Sequence, residues 1–185
     1  MASKKEKFKK LKFFLLLFIA MISMIFFSSF VNIKFIYFAP FIIFLFYRFN
    51  FITILWISTL LGFFQDLFSS SFFGISAISY LICSIILFRE KRFFNDKPIN
   101  LSIFTIIYSV IYSLFNPILF FIFDKKINLS IKWVATDLLI FPLLDGIYAL
   151  ILFAMPILLI ENFTKFGFFK NLWTTLTKKI SLKSR

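Results

Sequence analysis

Residues Gly62 to Tyr80 read GFFQDLFSSSFFGISAISY, a polar break between two strongly apolar runs in a chain with few such breaks. Gln65 and Asp66 close the first run, Ser69, Ser70 and Ser71 form a hinge, and Gly74 opens the second. An ionised Asp in hydrocarbon costs roughly 3 kcal/mol even on the lenient insertion scale. Asp66 is therefore expected at a membrane surface or inside a protein interface, and this hairpin offers it one. Taken alone, the stretch reads as a polar turn between two membrane spans.

The composition around it points the same way. Of 185 residues, 61% are hydrophobic and 33 are Phe, against about 45–50% apolar in soluble domains. The apolar residues come in uninterrupted blocks rather than in the alternation of barrel strands. The expected fold class is an all-α integral membrane protein, a single six-helix transmembrane bundle. The many Phe, Ile, Lys and Asn residues suit an AT-rich coding sequence and are assigned no function. Cys83 lies in an apolar run without a second cysteine to pair with, and the chain has no His. That removes the commonest metal ligand and general base. There is no phosphate loop, nucleophile elbow or metal-ligand spacing, so no enzymatic activity, cofactor or metal is expected.

The spans follow from the blocks. Residues 1–12, with six lysines and one Glu, form a basic cytoplasmic N-terminus, and 13–160 form the transmembrane domain. Phe13–Val31 is a 19-residue uncharged run, read as an uncleaved first span. Arg48, Phe49 and Asn50 split the next block into Phe35–Tyr47 and Phe51–Gln65, of 13 and 15 residues. These are either short spans or a re-entrant pair. Leu67–Phe88 and Leu101–Phe123 are full-length spans, the latter kinked at Asn116-Pro117. The last span is placed at Phe141–Ile160, with its start open by up to eight residues toward the N-terminus and Ile127–Ile140 partly in the outer interface. In the tail, 161–185, Phe166, Phe169, Trp173, Leu176 and Ile180 recur at helical spacing among lysines. That suits either a basic amphipathic helix on a membrane surface or a plain basic tail.

Charge sets the orientation. With six crossings and both termini in the cytoplasm, 17 of the 21 Lys and Arg fall inside and 4 outside, as the positive-inside rule requires. The net charge of +13 then records topology and attraction to anionic lipid at the cytoplasmic face, with no nucleic acid implied. Asp145 is the more conspicuous intramembrane acid. With no cation at its depth, it is expected to be neutral or hydrogen-bonded to a group such as Asn116, Tyr112 or Tyr148. Its functional readings are proton transfer or a grip on a partner helix; its structural one is an acid snorkelling outward beside Gly146.

The hairpin also resembles a known signature. GFFQDLFSSSFFGISAISYLI is similar to the central motif of the MreD family, membrane components of the bacterial rod-shape complex. Gly62, Asp66, Leu67, Ser69, Ser71, Gly74 and Ala77 occupy the places of its Gly, Asp–Leu, Ser/Gly turn, second Gly and small-residue helix start. The likeness covers about twenty residues in motif and most of the chain in layout, while the Phe-rich spans depart from the family's Leu- and Ala-rich ones. It implies a non-catalytic scaffold in the bacterial inner membrane. Its partners would be an MreC-like bitopic protein, the MreB filament, and the SEDS glycosyltransferase and class B transpeptidase that build peptidoglycan. The rival is the substrate-binding membrane subunit of an energy-coupling (ECF-type) vitamin transporter, also a six-helix protein of this size. Such a subunit needs a polar-lined cavity, for which the sequence offers mainly Asp66, Asn116, Asp137 and Asp145.

Overall fold

The computed structural model describes residues 2–30, 35–68, 72–93, 98–122 and 130–165. Six helical rods make up these segments: α1 Ala2–Phe30, α2 Ala39–Phe46, α3 Phe51–Phe68, α4 Ile75–Glu90, α5 Pro98–Ile122 and α6, residues 131–165. No strand occurs among the described residues. Phe51–Phe68, Pro98–Ile122 and Ile131–Ile160 are long and apolar enough to cross a membrane. The helix α1 runs from Ala2 to Phe30 without a break, and Lys12–Phe26 is its apolar part.

Polarity is distributed as a hydrocarbon solvent demands. The buried polar residues include Ser58, Asp66, Ser76, Ser84, Thr105 and Asp145, whereas Phe18, Trp56, Leu60, Leu67, Phe121 and Leu159 are turned outward. In water this arrangement would expose a large apolar surface. In lipid it places small residues between helices and hydroxyls where they find partners. Ser58 on α3 and Ser84 on α4 share a hydrogen bond of 2.8 Å between helices, while Ser58 also donates back to the Ile54 carbonyl.

The short α2 occupies the middle of the bundle. All eight of its residues are buried, and at 1.5 Å per residue it is only about 12 Å long, well under half of a ~30 Å hydrocarbon core. Pro40 sits in its first turn, where the missing N–H costs nothing. A tight turn at 47–50 leads into α3, with the Arg48 and Phe49 amides donating to the Leu45 carbonyl.

Two expected boundaries are corrected. The span drawn as Leu67–Phe88 is not one helix: α3 continues to Phe68, and α4 starts at Ile75. Gly74, immediately before α4, has a φ of 101°, in the left-handed region that glycine enters without strain, so a helix cannot run on through it. The last apolar helix begins ten residues earlier than Phe141, at Ile131, so 131–140 are continuous with the rod.

The α6 rod is helical throughout but alternates in pitch. Val134–Ile140 and Leu150–Ala154 are π-helical, and each is followed after one residue by a proline, Pro142 or Pro156. A proline inside an α-helix removes one hydrogen bond and drives its ring into the carbonyl four residues back. Widening the preceding turn relieves that clash. The residue before each proline donates five residues back, Phe141 to Thr136 and Met155 to Leu150. Asp145, Ala149, Phe153 and Ile157, spaced by four, are all in the interior, and the Leu150–Ala154 turn of wider pitch falls in the middle of that row. On a straight α-helix such a row drifts by about 40° per step.

Candidate functional site

The buried polar groups form two anchored clusters. The first is the Gly62–Tyr80 hairpin. Asp66, in the last turn of α3, is buried, and its carboxylate accepts the backbone N–H groups of Gly74 at 2.8 Å, Ser76 at 3.1 Å and Ala77 at 3.4 Å. These are the orphan donors of the start of α4, so Asp66 caps that helix from a neighbouring one. The carboxylate also complements the positive end of the α4 dipole. Beside it, α3 and α4 meet at Gly62, where an added Cβ would lie 2.7 Å from the Ala77 nitrogen and 2.8 Å from the Ser76 carbonyl oxygen. No side chain other than hydrogen fits there. The Tyr80 hydroxyl donates to Gln65 on the same face.

The structure thus brings Gly62, Asp66, Gly74 and Ala77 together and turns Leu67 away, 66% exposed. Ser69 and Ser71 lie outside the described residues. Asp66 is buried within the chain, and its carboxylate accepts from backbone amides of the same chain. Around the turn an aromatic surface faces outward, with Phe63 and Phe73 stacked at 5.2 Å and Phe72 exposed beside them.

The second cluster surrounds Asp145 in α6. Its carboxylate accepts the Ile36 N–H at 3.1 Å and the Ser109 hydroxyl of α5. Ile36 in turn accepts from Ala39 at 3.1 Å, so Asp145 holds the turn from which α2 starts. The expected partners Asn116, Tyr112 and Tyr148 are corrected. Tyr112 donates to Ser76 at 3.4 Å, and Tyr148 donates to the Tyr37 carbonyl at 3.1 Å while sharing a hydrogen bond with Ser23 of α1. The Asn116 Oδ1 is buried with no hydrogen-bond partner among the described residues. Asp137 lies near the N-terminal end of α6, hydrogen-bonded by the Thr136 hydroxyl at 2.8 Å. Gly146 lets α5 approach closely: an added Cβ would sit 2.7 Å from Ile106 Cδ1, and Ser102 donates to the Gly146 carbonyl at 2.7 Å.

Both buried acids therefore do the same physical work. Each accepts backbone N–H groups where a helix begins inside the bundle, replacing the water that would satisfy those donors at a surface.

Five of the six tyrosines join these clusters, and of these sequence reasoning singled out Tyr112 and Tyr148 but missed Tyr37, Tyr80 and Tyr108. Tyr80 packs on Tyr108 at 6.0 Å and on Tyr112 at 5.6 Å, Tyr37 packs on Tyr148 at 6.4 Å, and Tyr108 donates to the Tyr80 carbonyl at 3.2 Å. The signal was present: in a chain with 33 Phe and 6 Tyr, a hydroxyl within an apolar run needs a partner that a phenyl ring does not.

At the other end of α2, the Lys91 ammonium donates to the carbonyl of Phe46, its last residue, at 3.0 Å and lies 3.6 Å from the Phe88 ring centroid. The Arg48 guanidinium lies 4.1 Å over the Phe44 ring. The buried helix thus has an acid fixing its entry and cations at its exit, the signs its dipole favours. Among the described residues no group of three or more His, Cys, Asp or Glu is arranged to hold a metal ion. Compared with known protein families, curated proteins and solved structures, the chain matches none of them.

Proposed function

We propose that this chain is a non-catalytic scaffold of the MreD type in the bacterial inner membrane. It would link an MreC-like bitopic protein, the MreB filament and the peptidoglycan synthases of cell elongation. The observation that carries the reading is the division of labour within the hairpin. Gly62, Asp66, Gly74 and Ala77 lock α3 to α4, while Leu67, Phe68, Phe72 and Phe73 are exposed. A motif spent partly on internal geometry and partly on an outward apolar ledge suits a protein that docks another helix. Helices in lipid associate through shape and a few hydrogen bonds rather than through an aqueous hydrophobic effect.

In this reading the chain makes six crossings with both termini cytoplasmic. Here α2 and α3 form an inward and a returning pass around Arg48, and the ledge lies on the outer side. Anionic lipid meets the cytoplasmic face. The vitamin-importer reading is less well supported, because both buried acids and the tyrosine hydroxyls are already bonded within the chain. A polar ligand would have to break those bonds, each worth about 1 kcal/mol net.

The test is a mild-detergent pull-down of the tagged chain with mass spectrometry of its companions. A single-span coiled-coil protein or cell-wall synthases are expected. They should be lost from Phe72→Ala/Phe73→Ala while the variant keeps its thermal midpoint. Recovery of ATPase subunits with a coupling membrane protein would replace the scaffold with the importer.

A further inference from the structure

Positive charge converges on one end of the bundle from segments far apart in sequence. Phe13, next to Lys12, packs on Phe41 at 5.4 Å and on Phe49 at 6.0 Å. Phe88, near the end of α4, meets Phe46 at 5.8 Å and Phe51 at 5.0 Å. The start of the apolar part of α1, the α2–α3 turn and the end of α4 therefore share one level. They bring Lys12, Arg48, Arg89, Lys91 and Arg92 to it, against Glu90 as the acid there among the described residues.

These cations are held rather than dispersed. Arg48 and Lys91 rest on the Phe44 and Phe88 rings, contacts that fix a cation by attraction to the ring face. Lys91 also bonds the terminal carbonyl of α2, and Arg92 Nε donates to the Arg89 carbonyl at 3.3 Å. Like charges gathered in this way repel one another and raise the local potential. Burial lowers the pKa of the Lys91 ammonium, a disadvantage that an adjacent anion would reverse.

We propose that this end of the bundle binds the headgroup phosphate of an anionic membrane lipid, with Arg48, Arg89, Lys91 and Arg92 as its donors. The surroundings favour a lipid over free phosphate. Phe49, Phe51, Ile52 and Ile86, on the α2–α3 turn, the start of α3 and α4, are exposed apolar residues, and they give acyl chains a surface that an inorganic ion cannot use. The inference rests on the placement of these helices in a bilayer, and it does not need the scaffold role.

The experiment places the full chain in nanodiscs of phosphatidylcholine doped with phosphatidylglycerol, then counts lipids retained after release by native mass spectrometry. Phosphatidylglycerol should be retained in preference to phosphatidylcholine, and retention should fall about fivefold for each cation removed. Arg48→Gln and Lys91→Gln remove contacts to the rings and to α2. The exposed pair Arg89→Gln/Arg92→Gln therefore serves as the variant that leaves the bundle intact. Equal retention of the two lipids, or full retention in the Arg89/Arg92 variant, would overturn the site alone. Displacement by millimolar inorganic phosphate would overturn the choice of lipid. Failure of the chain to enter the nanodisc would overturn the bilayer placement and the site with it.

Discussion

At Gly62 and Asp66, two residues four apart on α3, the hairpin depends on opposite properties of a side chain. Gly62 contributes the absence of one, allowing the α4 backbone to lie against α3. Asp66 contributes a carboxylate for three backbone N–H groups. Gly62→Leu forces the helices apart, an overpacking cost of about 1–3 kcal/mol. Asp66→Ala leaves its three donors without an acceptor in a site closed to water, at about 1–3 kcal/mol for each group left unsatisfied. Both variants should lower the thermal midpoint in detergent, followed by tryptophan fluorescence, whereas Leu67→Ala should leave it unchanged. An unchanged midpoint for Asp66→Ala would remove the capping role and return Asp66 to the candidates for an intermolecular contact.

Among the elements, α2 and α6 depend on each other. The eight buried residues of α2 are entered through a turn held by Asp145, which faces inward from the α-helical stretch between the two widened turns of α6. Prolines 142 and 156 are then determinants of register rather than mere interruptions. With Pro156→Ala the Leu150–Ala154 turn should return to α-helical pitch and swing Ile157 out of the core by up to about 100°, the angle of one residue. The measurement is the reactivity of a single cysteine at Ile157→Cys, in a Cys83→Ser background, toward an apolar maleimide. It should be low with Pro156 present and rise on substitution. Equal protection in both backgrounds would mean that the π turn has another cause.

For the whole molecule, many large apolar side chains face outward, the buried polar groups are mostly hydroxyls, and Lys12, Arg48, Arg89, Lys91 and Arg92 gather at one end. That asymmetry favours the proposed six-crossing orientation, which predicts opposite access for the two ends. In the Cys83→Ser background, Glu90→Cys should react with an impermeant maleimide only when the reagent reaches the cytoplasmic side. Ser130→Cys should react from the outside of intact cells. Labelling of both positions from the same side would leave a single crossing by α5 between Glu90 and Ser130 untenable, and the six-crossing layout with it.

Some of this was legible in the chain itself. The apolar blocks dictated helices long enough for a membrane, the Arg48 break marked the turn between α2 and α3, and the hairpin stood where the polar break lies. Hydropathy is a property of one segment facing one solvent, so it survives in an isolated sequence. Tertiary structure alone decided where buried polar groups find partners. Asp145 meets an amide 109 positions away and a hydroxyl 36 away, pairings that no local spacing encodes. It also decided that α2 is a short internal helix and that two prolines widen α6 without breaking it. The physical reason is the same throughout. In a medium without water every polar group must be satisfied by whichever segment lies beside it, and that neighbour is fixed only when the helices pack.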